Sequence, residues 1–246
     1  MAHPLIAVNG LLETGERPAL RLANRYCEAV LSAGGIPLAI PPIGTARDVE
    51  RLLGSVDGLL LTGGDDFDMQ RLGRGATHPS AVLTPPEKQD FDVALAQAAL
   101  AARIPVLGIC YGMQLLALVE GGELYQHLPE DWPGSQPHSG GAIHAVAIER
   151  GTRLGSVLGL ERMDVVSRHH QAVAAPPPAW RVCARDREGL IEAVERPDHP
   201  FALGVQWHPE LAAAGSADER LFRALVEASR AREPAPHVVR APASQP

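Results

Sequence analysis

The chain has 246 residues, of which 22 are Lys or Arg and 29 are Asp or Glu, so its formal net charge is −7. With 46% hydrophobic and 21% charged residues, the composition is typical of one soluble globular domain. No Lys/Arg-rich run occurs, which argues against binding to nucleic acid or anionic membranes and favours small-molecule partners. No basic leader and no apolar stretch of about 18 residues is found, which predicts a cytoplasmic protein.

Cysteine usage gives a second constraint. Cys27, Cys110 and Cys183 are widely spaced, with no Cys-x-x-Cys pair. This pattern argues against a disulfide framework and against a thiolate zinc site. A cysteine with a special role would therefore be reactive, and core burial is expected for Cys27 and Cys183.

In the first half of the chain, apolar segments alternate with helical patterns, which predicts a mostly parallel sheet with helices on both faces. The predicted strands are Pro4–Val8, Ile36–Ile40, Gly58–Leu61 and Ile104–Ile109. The predicted helices are Pro18–Ala33, Thr45–Val56, Pro86–Arg103 and Tyr111–Val119. Residues 65–84 lack periodicity, and a loop of this length in a compact domain is more often functional than idle.

The second half contains short strand-like segments between turn residues, which predicts antiparallel additions to the sheet. These segments are Glu123–Leu128, Ala142–Glu149, Asp164–Ser167, Arg181–Ala184, Leu190–Glu195 and Phe201–Gln206. A last helix is predicted over Ser216–Arg232, with Ser216 and Glu219 as a capping pair. We expect one domain over residues 1–232 and a disordered tail over 233–246, where prolines are frequent and apolar anchors few.

The segment Gly108-Ile-Cys110-Tyr-Gly112 joins a predicted strand to a predicted helix, as a nucleophile elbow does, with Cys in place of Ser. Such a turn strains its central residue and brings backbone so close that flanking glycines avoid a Cβ clash. The helix N-terminus also favours the nucleophilic thiolate. Alone, this pattern fits a buried structural cysteine as well, so the prediction depends on residues downstream.

Those residues lie in Gly204-Val-Gln-Trp-His-Pro-Glu210. In an extended segment, side chains two apart point to one side, so Glu210 can lie beside His208, fix its tautomer and stabilise its imidazolium. His-x-Glu alone is a weak signal, but Cys110, His208 and Glu210 together supply a nucleophile, a base and the group that orients the base.

Acyl transfer also needs N–H donors for the developing oxyanion, and the amides of Gly64 and Tyr111 are candidates. A tight turn is the alternative explanation for Gly63 and Gly64. Three aspartates follow between residues 65 and 68, but no partner ligand at diagnostic spacing accompanies them. We therefore expect no metal there.

His169, His170 and Gln171 follow a predicted strand and either line the substrate pocket or form a solvated turn. Adjacent side chains in a strand point to opposite faces, so at most one histidine should face the site. His138 and His144 are not spaced as metal ligands.

With these residues in place, the chain resembles the class I glutamine amidotransferase superfamily, and more closely its free-standing branch, the γ-glutamyl-γ-aminobutyrate hydrolase-like peptidases (peptidase C26). The similarity covers most of the chain and keeps the order of the motifs. The motifs that carry it are Ala29-Val-Leu-Ser-Ala-Gly-Gly-Ile-Pro-Leu38, Leu61-Thr-Gly-Gly-Asp65, Pro105-Val-Leu-Gly-Ile-Cys-Tyr-Gly-Met-Gln114, His169-His-Gln-Ala-Val173 and Gly204-Val-Gln-Trp-His-Pro-Glu210.

The resemblance implies a flavodoxin-like, three-layer α/β fold, no metal or organic cofactor, and γ-glutamyl amides as the substrate class. It also implies a Cys-His-Glu triad made of Cys110, His208 and Glu210. The residues implied to surround the bound glutamyl group are Gly64, Tyr111, Gln114, His169, His170 and Gln171.

Two positions depart from that branch. These hydrolases often have Arg directly after the nucleophile. This chain has Tyr111 there, as many synthetase-linked glutaminase domains do. Val166 and Ser167 stand where an Asn-Ser pair usually leads into the double histidine. These changes leave the triad intact and bear on the specificity for the leaving group.

We therefore expect a cysteine hydrolase that cleaves γ-glutamyl amide bonds of small molecules through a thioester on Cys110. One alternative is a glutaminase that supplies ammonia to a synthetase on a separate chain, because no acceptor domain is encoded here. Another is a non-catalytic binding protein of the same fold. The sequence leaves open which amine is released and whether the chain forms a homodimer.

Overall fold

The computed structural model describes residues 3–232, which fold into thirteen strands, seven α-helices and one 3-10 turn, Pro209–Leu211. The strands are β1 (Leu5–Asn9), β2 (Leu11–Glu13), β3 (Ala19–Arg21), β4 (Ile36–Ile40), β5 (Gly58–Leu61), β6 (Val106–Ile109), β7 (Glu123–Tyr125), β8 (Ala142–Ile148), β9 (Arg162–Ser167), β10 (Ala172–Ala175), β11 (Arg181–Asp186), β12 (Ile191–Glu195) and β13 (Ala202–Val205). The helices are α1 (Asn24–Ser32), α2 (Ala46–Leu53), α3 (Pro86–Ala101), α4 (Tyr111–Val119), α5 (Leu128–Asp131), α6 (Arg153–Leu158) and α7 (Glu219–Arg230).

Nine strands form one central sheet in the order β4-β1-β5-β6-β13-β12-β11-β8-β9. From β4 to β13 neighbouring strands run parallel, and from β13 to β9 they run antiparallel. The predicted architecture is therefore confirmed: a parallel half is extended by antiparallel strands from the second half of the chain. Strand β13 comes late in the chain but lies in the middle of the sheet.

Helices cover both faces of the sheet, as the alternation of side chains along β1 illustrates. Ala7 packs into a cluster with α2, α3 and α4, whereas Ile6 and Val8 pack into a second cluster with α1, α6 and α7. All three side chains are fully buried. The three-layer prediction is confirmed, and within residues 3–232 no helix is long and apolar enough to cross a bilayer.

The predicted helix Pro18–Ala33 was wrong at its start. Residues 11–13 and 19–21 form an antiparallel hairpin in which Leu12 is paired with Leu20, and α1 begins only at Asn24. Leu20 fits an apolar helical stripe, but pairing with Leu12 decides its conformation. The helix ends at Ser32, one residue before the predicted end at Ala33, and Gly34 then adopts a positive φ of 85°.

Several elements of the second half also differ from the prediction. The strand predicted over 123–128 ends at Tyr125, and α5, α6 and β10 were not predicted. Helix α7 begins at Glu219, whose carboxylate accepts a hydrogen bond from the Gly215 N–H, so Ser216 does not cap it. The predicted tail over 233–246 lies outside the described residues.

A buried polar layer lies beneath the ends of β1 and β5. The Asp92 carboxylate accepts a hydrogen bond from the Asn9 side chain at 3.1 Å and forms an ion pair with Lys88. Asn9 in turn accepts a hydrogen bond from the Thr62 N–H at 2.8 Å. Both members of the ion pair are almost fully buried, so this layer fixes the backbone directly before Gly63.

We predict that Asp92→Ala destabilises the fold by about 3–5 kcal/mol, because it leaves the Lys88 ammonium buried and unpaired. Urea unfolding followed by circular dichroism measures this change. Asp90→Ala is the matched control: Asp90 lies on the same helix and pairs with Arg71, but both side chains are largely exposed, so little change is expected. Equal effects of the two substitutions would contradict the importance of the buried layer.

Candidate active site

Cys110 lies at the turn between β6 and α4 and has a positive φ of 52°. A Cβ on Gly108 would lie 2.6 Å from the backbone of Gly112, and one on Gly112 would lie 2.3 Å from the carbonyl oxygen of Leu61. Real Cβ atoms do not approach backbone this closely, so both positions require glycine. The predicted strained elbow with obligatory glycines is confirmed.

His208 lies beside Cys110, and its Nδ1 is 2.7 Å from Oε1 of Glu210. Burial alone would lower the pKa of His208, but contact with the Cys110 thiol and the Glu210 carboxylate outweighs it and raises that pKa to about 10. The structure thus brings the three predicted residues together in an arrangement that favours the protonated imidazole of His208. Glu210 reaches His208 from the 3-10 turn, and not from an extended segment as predicted.

Tyr26 on α1 is a residue of the site that the sequence analysis missed. Its hydroxyl accepts a hydrogen bond from the Gly63 N–H at 3.1 Å. Burial and the neighbouring Glu210 carboxylate raise the pKa of this phenol, so it stays neutral. A Cβ on Gly63 would lie 2.9 Å from Cε1 of His208 and 3.1 Å from the Tyr26 hydroxyl. Tyr26 and Gly63 therefore enclose the side of the imidazole that faces α1 and β5.

Three glutamines form a polar chain behind the thiol. The Gln206 amide donates to Cys110 Sγ at 3.5 Å, and Gln206 accepts from the Gln114 amide at 3.1 Å. The same Gln114 amide donates to the carbonyl of Gln171 at 3.0 Å. Gln206 was not singled out from sequence; the signal was a polar residue at the end of an apolar strand, where it is fully buried.

A cavity of about 250 Å³ opens over Cys110. Gly64 and Gln114 line it as predicted, and both His169 and His170 contribute atoms to its wall, although only one was expected to. The two imidazoles nevertheless diverge, since His170 Nε2 lies 2.9 Å from Asp66 whereas His169 is directed into the interior, with its Nε2 3.6 Å from Glu192. The remaining lining residues are Asp65, Asp66, Val82, Arg168 and Gln171.

The Tyr111 side chain does not line this cavity. Its ring stacks on Phe67 with centroids 4.3 Å apart, and the Lys88 ammonium lies 4.8 Å from its centroid. A Cβ on Gly64 would lie 3.1 Å from the Tyr111 ring. The ring therefore packs directly against the loop at Gly64. Of the predicted roles of Tyr111 near a substrate, only that of its backbone amide is compatible with this position.

A second cluster of titratable groups lies deeper in the protein. His138, His144 and His169 surround Glu192, and all four side chains are buried. Burial raises the pKa of Glu192 to about 7 and lowers the pKa of His169 to about 3. His138 and His144 are not spaced along the chain as metal ligands are, but the pairing of distant strands brings them together.

The sequence matches the model of a known protein family. The family model Peptidase C26 matches residues 4–210. The chain is 37% identical over 237 residues to the Mycobacterium tuberculosis protein named "Putative glutamine amidotransferase Rv2859c", covering 93% of this chain and 75% of that protein. It is 36% identical over 220 residues to the gamma-glutamyl-gamma-aminobutyrate hydrolase of Escherichia coli O157:H7, with 84% of each chain covered.

The fold is also found in solved structures. The glutaminase domain of Trypanosoma brucei CTPS, solved with bound acivicin, superposes with a TM-score of 0.65 at 18% identity. The match covers 94% of this chain and 95% of that one. At this identity the likeness concerns the fold alone, and it agrees with the α/β architecture described above.

We predict that iodoacetamide modifies Cys110 faster than Cys27 or Cys183, since burial raises the pKa of both other thiols. His208→Gln removes the imidazolium and should slow alkylation of Cys110 by about tenfold at neutral pH, because an ordinary thiol is only a few per cent thiolate there. Site-resolved mass spectrometry measures the rates, and Cys110→Ala confirms the modified position. An unchanged rate in His208→Gln would show that the imidazole does not activate the thiol.

We further predict that Gly63→Ala displaces His208 and lowers the alkylation rate of Cys110, because the new methyl group collides with the imidazole. Gly54→Ala is the control, since a Cβ there meets only ordinary contacts at 3.4 Å and Gly54 has an αR backbone. Thermal unfolding should show both variants folded. If Gly63→Ala reacts at the wild-type rate, the imidazole is not held where the structure has it.

Proposed function

We propose that this chain, which belongs to the Peptidase C26 family of glutamine amidotransferase-like hydrolases, cleaves γ-glutamyl amide bonds of small molecules through a thioester on Cys110. The observation that carries the proposal is the contact of His208 with both Cys110 and Glu210, which raises the pKa of the imidazole to about 10. An imidazolium beside a thiolate is the charge state needed for nucleophilic attack followed by protonation of a leaving group.

In the first half-reaction, the Cys110 thiolate attacks the γ-carbonyl carbon of the substrate and forms a tetrahedral oxyanion. The backbone amides of Gly64 and Tyr111, which follow the neighbouring strands β5 and β6, donate to this oxygen in our proposal. The imidazolium of His208 then gives its proton to the amide nitrogen, the C–N bond breaks and the free amine leaves. The enzyme retains the γ-glutamyl group as a thioester.

In the second half-reaction, His208 is neutral and acts as a base toward water. The hydroxide equivalent adds to the thioester carbonyl, the C–S bond breaks, and glutamate leaves while His208 keeps the proton. The Glu210 carboxylate stabilises the imidazolium in both half-reactions. The cycle returns the thiolate and imidazolium with no cofactor consumed.

The cavity composition supports a glutamyl group as the part that is recognised. This group carries an ammonium and a carboxylate on one carbon, so a site that holds it needs charges of both signs. The cavity offers Asp65 and Asp66 as anions, Arg168 as a cation, and His170, whose pKa is raised by its hydrogen bond to Asp66. Most of these groups follow β5 or β9, at one edge of the sheet.

A glutaminase that supplies ammonia to a separate synthetase is the second candidate. It is favoured by the similarity to the protein named "Putative glutamine amidotransferase Rv2859c". Tyr111 does not decide between the candidates, because its side chain packs in the core and does not face the cavity.

The test is product analysis on free glutamine, γ-glutamyl-γ-aminobutyrate and γ-glutamyl polyamines. We expect glutamate and the free amine from a γ-glutamyl amide, with free glutamine nearly inert. Cys110→Ala should lower kcat by at least about a thousandfold, while Cys27→Ala, a half-buried cysteine on α1, should keep wild-type activity. Hydrolysis of glutamine alone would favour the ammonia-supplying role, and no turnover of any substrate would contradict an enzymatic function.

A further inference from the structure

The second cluster described above consists of four side chains from four separate segments. His138 lies in the loop before β8, His144 on β8, His169 in the loop after β9 and Glu192 on β12. One donor atom from each lies within 4.8 Å of those of the others. All four residues are at most 7% exposed, so the cluster is buried.

The distances within the cluster are too long for hydrogen bonds. Oε1 of Glu192 lies 3.5 Å from Nδ1 of His138, 3.5 Å from Nε2 of His144 and 3.6 Å from Nε2 of His169. Zinc bonds to nitrogen and oxygen of about 2.0–2.2 Å place the donors of a tetrahedron about 3.3–3.6 Å apart. The distances from this carboxylate oxygen to the three imidazole nitrogens are therefore those expected between the ligands of a tetrahedral metal site.

The polar atoms of the cluster lack other partners. Seven nitrogen and oxygen atoms of these four side chains have no hydrogen-bond partner among the described residues. This is unusual, because native interiors pair nearly all of their buried polar groups. One exception is informative: Nδ1 of His169 lies 2.9 Å from the carbonyl of Gln171 and donates to it, so the Nε2 lone pair is left free toward Glu192.

We propose that His138, His144, His169 and Glu192 bind one zinc ion in a closed, four-coordinate site. Three imidazoles and one carboxylate match zinc, whereas calcium and magnesium prefer sets of oxygen ligands. Four protein ligands leave no open position, which is typical of a structural metal and not of a catalytic one. The proposal replaces the expectation from sequence that this protein holds no metal.

A carboxylate behind one ligand supports the assignment. Oδ2 of Asp186 lies 3.5 Å from Nε2 of His138, on the side of the ring opposite Glu192. Asp186 is itself held by hydrogen bonds from the N–H groups of Glu188 and Leu190. Metal-binding histidines commonly face such a carboxylate, which orients the ring. Glu192 and Asp186 together match the two positive charges of the ion.

The site would fix one wall of the cavity. The His169 N–H and the Ser167 hydroxyl both donate to the carbonyl of His138 at 2.7 Å, so the two ligand loops are already joined by the backbone. The carbonyl of Glu192 accepts from the N–H of Gln206, whose amide contacts Cys110. Zinc at this point would therefore hold the segment 168–171 in register with the strand that precedes His208.

The test is the metal content of the purified full chain, measured by plasma mass spectrometry. We expect one zinc per chain after dialysis, and Co²⁺ added to chelator-treated protein should give the visible absorption of a tetrahedral site. His144→Gln and Glu192→Gln should abolish both signals. Asp186→Asn should weaken zinc binding about 10–100-fold. His199→Gln is the control, because His199 is equally buried but lies outside the cluster.

Wild-type protein provides a measurement that does not depend on the folding of the variants. Chelator treatment should lower its melting temperature, and Zn²⁺ but not Mg²⁺ should restore it. The proposal is overturned if wild type carries no metal and its melting temperature does not respond to Zn²⁺. It is also overturned if folded His144→Gln and Glu192→Gln retain zinc. None of these readouts uses substrate, so they are independent of the proposed hydrolase activity.

Discussion

The close approach of α4 to β5 is the constraint on which the rest of the site depends. Gly112 lies so near the Leu61 carbonyl that no side chain fits between them, and Gly108 closes the same contact from β6. Because these contacts are made by backbone, no change of rotamer can relax them. The chain between the two glycines must therefore turn sharply, which holds Cys110 at a φ that costs about 1–3 kcal/mol.

Parallel pairing then brings the other groups to this turn. β5, β6 and β13 are neighbours and end at one edge of the sheet, which places Gly63, Cys110 and His208 side by side. β12 runs antiparallel, so its first residues lie at the same edge, where the Glu192 carbonyl meets the Gln206 N–H. The boundary between the parallel and antiparallel halves thus carries both the thiol site and the histidine cluster.

Sequence reasoning predicted the features that are determined locally. The glycines around Cys110 are required by contacts that follow from the sharp turn itself, and the structure confirms them. The hairpin before α1 was missed because Leu20 fits a helical stripe, and only its pairing with Leu12 shows otherwise. Tyr26 looks like any aromatic residue on the buried face of a helix.

The histidine cluster could not be predicted from the sequence, for a related reason. Its members lie on four segments that β8, β9 and β12 bring together, so no spacing along the chain marks them as a set. Gln206 is similar, since a glutamine at a strand end is ordinary until the fold buries it against a thiol. Local conformation was therefore predictable, whereas the residues that surround Cys110 depend on tertiary pairing.

The position of β13 in the sheet has a consequence for synthesis of the chain on the ribosome. β6 ends at Ile109 and pairs with β13, which begins only at Ala202. Until residue 205 emerges, β6 presents an unpaired, fully apolar edge, and such edges are sites of aggregation. The same delay means that Cys110 is made long before His208, so the nascent chain carries the thiol without its neighbouring imidazole until the sheet is closed.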